Sequence, residues 1–529
     1  MADKLFLIGI GGTGMRCLEA FVHLCAIGLL EEKEIHILSL DTDKENGNRE
    51  RVRILIQDCY LKIKGVSRDH FALKDTFFSS KLVFYDFFTE YSFNEPNFSN
   101  LADFTKLEET EKDLANLIFT QNVQDFDLKA GYRAQTHLGS LLMYHSIINE
   151  IKNKPQSQLG KFIEEIYTSS ESDEARVFVM GSVFGGTGAS SIPIIPKALN
   201  DAAGIRMKGK SLSKVFYGST LLTSYFKFGS PSEKQKNSEK VIADSKNFAM
   251  NSQAAMMFYN EDKTVKNTYQ KFYMLGTSEN NFETQKDASE VNVGGHSQKN
   301  DSHYIELFTA FAAYNFFNTP KQELVRIKDE KKEVEYYYRT LDDDGKLDFS
   351  NFVSSVEESA KFKKNLTALL ALSYLVNHEK TDFFASAQRG ALVSDGISGY
   401  EDIAIEEVAA LKQYMNMFNY EIESNNVKNG WIRQVYLSSN GKNFMGYNPE
   451  IFTTNKKDEV LKFEYNKIFM EKNDYAHKHN FKTSFLGNPY SDFKKIFKEK
   501  THNDESKLKS ERLLKRMYDA LVLLYNLEK

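Results

Sequence analysis

The chain has 529 residues, of which 41% are hydrophobic and 27% charged, and its formal net charge is −5. That length supports two or more domains around a large core, and the balance is that of a soluble globular protein. With no long basic run, the sequence argues against nucleic-acid binding driven by phosphate neutralisation.

Three cysteines, Cys17, Cys25 and Cys59, form no CxxC pair. This argues against a thiolate zinc site or a disulfide framework and suits a reducing compartment. The first residues lack the apolar segment and cleavage site of a signal peptide, and the longest apolar helical stretch, 366–376, is too short to cross a bilayer. A cytoplasmic protein without a membrane span is expected. The eight prolines mark no Pro/Ser/Gly-rich linker, so domain boundaries should fall at helix ends.

Residues 4–10 are mostly apolar, as in a buried parallel strand. GGTG at 11–14 ends the strand, and 15–30 reads as a helix with apolar positions at Met15, Leu18, Phe21, Val22 and Cys25. Residues 35–40 form the next strand and finish on Asp41-Thr-Asp43. This βαβ unit carries polar chemistry at the carboxyl ends of both strands, the edge where open α/β sheets take ligands. Two readings compete for it. Gly9, Gly11 and Gly14 satisfy the GxGxxG dinucleotide fingerprint, with Asp41 able to hold a ribose hydroxyl. The run DTDKENGNR at 41–49 also looks like the ribose and phosphate motif of ubiquitin-activating-type adenylating enzymes. Neither accounts for a second glycine loop further on.

Residues 50–128 are aromatic and charged, with helices and an insertion expected. AGYRAQTHLG at 130–139 is a polar loop entering a helix at 140–151, either facing an anion or making an ordinary helix entry. A strand at 177–180 then leads through GSVFGGTGAS at 181–190 into IPIIPKAL at 192–199. That order is strand, glycine-rich turn, helix start. Glycines let successive backbone N–H groups converge and the helix N-terminus adds its positive end, so a phosphate is the natural occupant. A Walker-type lysine loop is absent, so contact would rest on backbone N–H groups. Beyond it the pattern predicts a strand at 214–222 and an aromatic segment at 223–228 that contacts a sugar or base or packs in the core. A charged helix at 233–250, a strand at 254–259 stopping at NEDK (260–263), and a strand at 271–276 follow. A long helix at 301–317 ends before Pro320.

In this order the motifs resemble the tubulin/FtsZ superfamily of GTPases, most closely its divergent bacterial tubulin-like members. FGGTG at 184–188 is similar to the family's GGGTG(S/T)G phosphate loop, with Pro193 placed as in FtsZ-type sequences, and GIGGTG at 9–14 to the first phosphate loop. Asp41-Thr-Asp43 resembles the acidic loop near the metal, residues 133–139 the loop over the γ-phosphate, 223–228 the ribose loop and 260–263 the base loop. The resemblance implies an α/β fold: a Rossmann-like parallel-sheet nucleotide-binding domain over 1–300, a central linking helix at 301–318, and a largely helical C-terminal domain over 319–529. It implies GTP/GDP held by Gly11, Gly12, Thr13, Gly14, Arg133, Ala134, Gly185, Gly186, Thr187, Gly188, Thr223, Tyr225, Asn260 and Asn300, with Mg2+ at Asp41 or Asp43. The chain departs from the family at Phe184, which replaces the first glycine, and at Ala189-Ser190, which replace Thr/Ser-Gly. Gly229 and Glu233 stand where FtsZ has a Glu and an Arg near the ribose, so guanine rests on the resemblance alone.

In that family an acidic loop of the next subunit positions the attacking water, which couples hydrolysis to head-to-tail self-assembly. A carboxylate must orient or deprotonate water while other groups take the developing charge. LDFSN at 347–351 is similar to the family's LDFAD, which implicates Asp348, with Asp344 beside it; a solvated acidic turn is the other reading. A charged segment at 321–339 precedes it without counterpart in FtsZ. Helices are predicted at 359–380, 401–423, 491–500 and 507–526, with a strand at 431–436. The expected protein assembles with itself and hydrolyses GTP, its C-terminal domain serving assembly or a partner. A nucleotide switch or scaffold without turnover, and an adenylating or dinucleotide enzyme, are the alternatives.

Overall fold

The computed structural model of the chain describes residues 4–31, 33–63, 74–88, 97–101, 108–227, 241, 244–278, 283–284, 295–296, 298–329, 334–340, 346–377, 405–439, 443–453, 456–457, 468–470, 493, 495–497, 509–525 and 527. The strands of the main sheet are β1 (Lys4–Ile10), β2 (Glu34–Asp41), β3 (Lys81–Phe88), β4 (Ala175–Met180), β5 (Val215–Leu222), β6 (Lys271–Leu275) and β7 (Glu335–Arg339). They form one sheet in the order β3-β2-β1-β4-β5-β6-β7, and every neighbouring pair is parallel. This is the doubly wound arrangement.

The two-residue period of the strands sends alternate side chains to two cores. Leu5 and Leu7 of β1, with Phe178 and Met180 of β4, face one core; Phe6, Ile8, Val177 and Val179 face the other. The first core is built on α1 (Gly11–Ala26) and the second on α2 (Thr136–Asn153), α3 (Gln158–Ser172) and α4 (Ile195–Arg206). α5 spans Phe248–Glu261 and α6 Tyr304–Asn318; α6 is buried against α1 and the sheet. After α7 (Lys321–Asp329), β7 returns the chain to the sheet as its last described strand, so the end of the charged segment, Glu335–Arg339, extends the sheet edge.

The C-terminal helices α8 (Val356–Asn377), α9 (Ile405–Phe418), α10 (Trp431–Ser438) and α11 (Lys509–Leu524) join the first core, which is continuous from Leu5 to Tyr525. α1 meets two of them, α9 and α10. Its buried His23 places Nδ1 2.8 Å from the Tyr414 hydroxyl and stacks on Trp431 with ring centroids 4.4 Å apart. Burial holds the His23 pKa below its ordinary value. Among the described residues no helix is long and apolar enough to cross a membrane.

Two expected strands are helices. Residues 254–259 lie within α5, where Ala and Met favour the helix and Met257 and Phe258 are exposed while Tyr259 is buried. Residues 431–436 lie in α10, buried at every position, a pattern that a short apolar run shares with a core strand. The helix expected at 233–250 falls largely outside the described residues, which enter α5 at Phe248.

One glycine fixes how α1 meets the sheet. A Cβ on Gly14 would lie 2.7 Å from the Met180 carbonyl oxygen and 2.8 Å from the Gly9 carbonyl carbon, both backbone atoms with little freedom to move. Gly14→Ala is therefore expected to cost about 1–3 kcal/mol, measured as a lowered urea midpoint with an unchanged slope.

Candidate functional site

β1 and β4 are neighbours, yet their chains continue into opposite layers, α1 on one face and α4 on the other. The crevice at their carboxyl ends is the topological switch point of the sheet. A cleft opens there with roughly 840 Å3 of space, counting the part open to solvent.

Its first wall is the start of α1. Ile10 caps the helix without a side-chain hydrogen bond, and the first turn carries no acid. The opening N–H groups at Gly11, Gly12 and Thr13, which line the cleft, therefore have no intrahelical acceptor. Gly11 sits at φ +65°, and a Cβ there would lie 3.2 Å from Thr187 Cβ in the second glycine turn. Gly185, Gly186, Thr187 and Gly188 form that second wall.

The third wall is the turn at 131–134. A Cβ on Gly186 would lie 2.9 Å from the backbone nitrogen of Ala134 and 3.0 Å from that of Arg133. Arg133 and Ala134 both occupy the left-handed region, at φ 45° and 64°, a conformation that costs non-glycine residues on the order of 1–2 kcal/mol each. Such strain concentrates at ligand sites. The Arg133 guanidinium donates to the Val241 carbonyl at 2.9 Å, so it is the backbone of this turn that meets the glycines.

Asp41 and Asp43 close the end of β2. Asp41 Oδ1 accepts from the N–H groups of Thr42 (2.7 Å) and Asp43 (3.3 Å), whereas its Oδ2 is buried with no donor among the described residues. Burial, reinforced by Asp43, raises the Asp41 pKa to about 7. Both Asp43 oxygens are engaged, Oδ1 by the Glu45 N–H (3.0 Å) and Oδ2 by the Gly295 N–H (2.6 Å). Asn46 then donates to Gln298 at 2.6 Å and Asn48 to Asn300 at 3.3 Å, binding 43–48 to 295–300. Phe184, Phe226 and Phe248 supply an aromatic wall, with Phe184 centroids 5.5 Å from Phe226 and 4.8 Å from Phe248.

Of the sequence-predicted residues, the cleft brings together Gly11, Gly12, Thr13, Asp41, Asp43, Arg133, Ala134, Gly185, Gly186, Thr187, Gly188 and Asn300. It does not bring in the others. Gly14 packs α1 on the strands. The Thr223 hydroxyl donates to the Leu275 carbonyl at 3.2 Å. Tyr225 is fully buried, taking a hydrogen bond from Arg16 and donating to Glu306 at 2.7 Å. Asn260 is exposed near the end of α5, at a helix–helix junction and not after a strand. Asp348 is exposed and its carboxylate takes part in a capping box at Phe349–Asn351; Asp344 lies outside the described residues. Arg49, part of the adenylating-type motif, is held by Asp86 and by the Lys44 carbonyl (2.8 Å) and does not line the cleft.

Sequence reasoning missed Asn46, Tyr132 and Gln298 as lining residues. Gln298 follows no motif, and its partner Asn46 is 252 residues away in sequence.

Fold and site together define a doubly wound α/β protein with a cleft of backbone donors at its switch point. No model of a known protein family matches the chain, and no curated protein is similar to it.

The raised Asp41 pKa has a measurable consequence. A carboxyl whose folded pKa is about 7 against an ordinary 3.8 binds more protons folded than unfolded between these values. Its contribution is full below the lower value and is lost as pH rises towards the upper. Stability without ligand should fall between pH 5 and 7 and level off above it, and Asp41→Asn should flatten the profile, as read from thermal melts.

Proposed function

We propose that this chain binds a nucleoside triphosphate in the switch-point cleft, in the manner of a tubulin/FtsZ-type GTPase, and hydrolyses it on self-assembly. The observation that carries this reading is the meeting of two glycine turns about 170 residues apart in sequence with the strained 131–134 turn around one cleft. Backbone N–H groups there suit phosphate oxygens, and the aromatic wall suits a base or sugar.

The residues fit a magnesium ion. Asp41 offers a buried oxygen without a donor, and Mg2+ is commonly held by one or two carboxylates together with substrate phosphates. Asp43, with both oxygens engaged, serves better to orient the loop than to ligate. When bound, the ion supplies neutralisation of phosphate charge.

Asp41 and Asp43 are the only acids among the described residues lining the cleft. Water activation then calls for a carboxylate from elsewhere, and Asp348 of a second copy is the candidate. The same observation favours a second reading, a nucleotide-dependent switch that turns over only negligibly.

Nucleotide released from the purified protein should be guanine-based, and phosphate release should rise more than linearly with protein concentration, in step with light scattering. Bound NAD, or ATP converted to AMP, overturns the proposal; bound GTP with slow, concentration-independent turnover selects the switch. Asp348→Ala should retain nucleotide and lose about 100-fold or more in turnover. Unchanged turnover removes Asp348 from the mechanism.

A further inference from the structure

The loops at 43–48 and 295–300 are bound to one another in constant register. Asp43 pairs with Gly295, Asn46 with Gln298 and Asn48 with Asn300, each pair 252 residues apart. This clasp lies against the first glycine turn: a Cβ on Gly12 would be 3.2 Å from Asn46 Nδ2 and 3.6 Å from Gln298 Oε1.

Its amides have one orientation each, set by backbone donors. Asn48 Oδ1 accepts the Asn300 N–H at 3.1 Å, which leaves Asn48 Nδ2 to donate to Asn300 Oδ1 at 3.3 Å. Asn300 Oδ1 is thereby the acceptor, and Asn300 Nδ2 is the remaining donor. That nitrogen is buried without a partner among the described residues, in a residue only 7% exposed that lines the cleft. The same logic holds next door. Asn46 Oδ1 accepts the Asn48 N–H at 2.9 Å, so Asn46 Nδ2 donates to Gln298 Oε1 and the Gln298 amino group stays a donor.

We infer that the amide part of the clasp is a donor wall of the site, in which Asn300 Nδ2 binds an acceptor oxygen of the ligand and Asn48 is the positioning residue that sets its polarity. The inference rests on the nucleotide reading and adds to it a selection rule: the group seated against this wall must carry a hydrogen-bond acceptor, and a ribose hydroxyl or a phosphate oxygen meets that demand. A buried donor left unpaired is costly, so a ligand that lacks the acceptor is rejected more strongly than one that lacks an apolar contact.

The test titrates full-length protein with GTP and with its 2′-deoxy and 3′-deoxy analogues in Mg2+. Asn300→Asp, nearly the same shape but without a donor, should weaken GTP binding about tenfold or more, with Asn300→Ala deciding if the first variant does not fold. Asn48→Asp should weaken it to a similar degree with Asn300 intact, because two facing acceptors turn the Asn300 amide over. Asn48→Asp combined with Asn300→Ala should then bind no worse than Asn300→Ala alone. A deoxy penalty that disappears in the Asn300 variants assigns the acceptor to the ribose; equal losses for all three nucleotides assign it to a phosphate oxygen. Undiminished GTP binding by folded Asn300 variants overturns the inference and leaves the nucleotide reading standing. Failure of the unaltered protein to bind any nucleotide overturns both.

Discussion

Everything at the switch point depends on backbone approaching backbone at distances that a single methyl group would forbid. A Cβ on Gly186 would lie 2.9–3.0 Å from the nitrogens of Ala134 and Arg133, and one on Gly188 would lie 2.7 Å from the Ser182 carbonyl oxygen, while one on Gly11 would press less hard, on the Thr187 side chain at 3.2 Å. The cause is the order of the sheet. With β1 beside β4, two strand–helix turns that would be far apart in an extended chain must share one crevice. Side chains there would fill the space that the N–H groups need to reach a ligand. The glycines thus serve packing and donor presentation together, except at Gly14, where packing alone is at stake.

Beneath the cleft, the same helix that offers these donors is held by buried charge. Arg16 Nε lies 2.9 Å from Glu306 Oε1, and its guanidinium stands 5.2 Å from the centroids of both Tyr225 and Phe226. Removing one member of such a buried pair strands the other, so the group fixes α1 against α6. Further along, Glu19 meets Arg51 at 2.8 Å, and Arg51 donates to Gln434 of α10. Gln434 in turn accepts the Ser302 N–H at 2.9 Å, just ahead of α6. One helix therefore presents donors at its start and, one to three turns on, carries polar anchors to the central and C-terminal helices. Phe226 takes part at both levels, as cleft wall and as cover for Arg16.

Strands β1, β2, β4, β5 and β6 and the two glycine turns were legible in the sequence because they rest on local pattern: apolar runs of strand length, two of them followed by glycine and a helix start. β3 and β7 were not, since they lie in aromatic and charged segments, and the turn at 131–134 was legible only as a glycine-bearing helix entry. What escaped local reading was tertiary. Tyr225 stands in an aromatic segment suited to a sugar, but a buried arginine on α1 and a buried glutamate on α6 claim its hydroxyl. The apolar run at 254–259 carries too few residues for period to separate strand from helix, and its alanines and methionines settle it as helix. Phe184 looked like a defect in a glycine loop; against Phe226 and Phe248 it is one side of an aromatic wall. Gln298 and Asn46 had no local signature, since each has meaning only through the other.

The distance of that pairing along the chain bears on how the protein comes into being. β1 to β6 and the glycine turns lie within the first 275 residues, yet the loop after β2 finds its partners only at 295–300. Contacts of such separation form late, because ordering the intervening chain is costly until the sheet is in place. During synthesis the cleft stays one wall short until residue 300 and the start of α6 have emerged. A ligand that requires all walls is thus excluded from chains that end before residue 300, and its capture marks a polypeptide whose strands β1 to β6 are already in place.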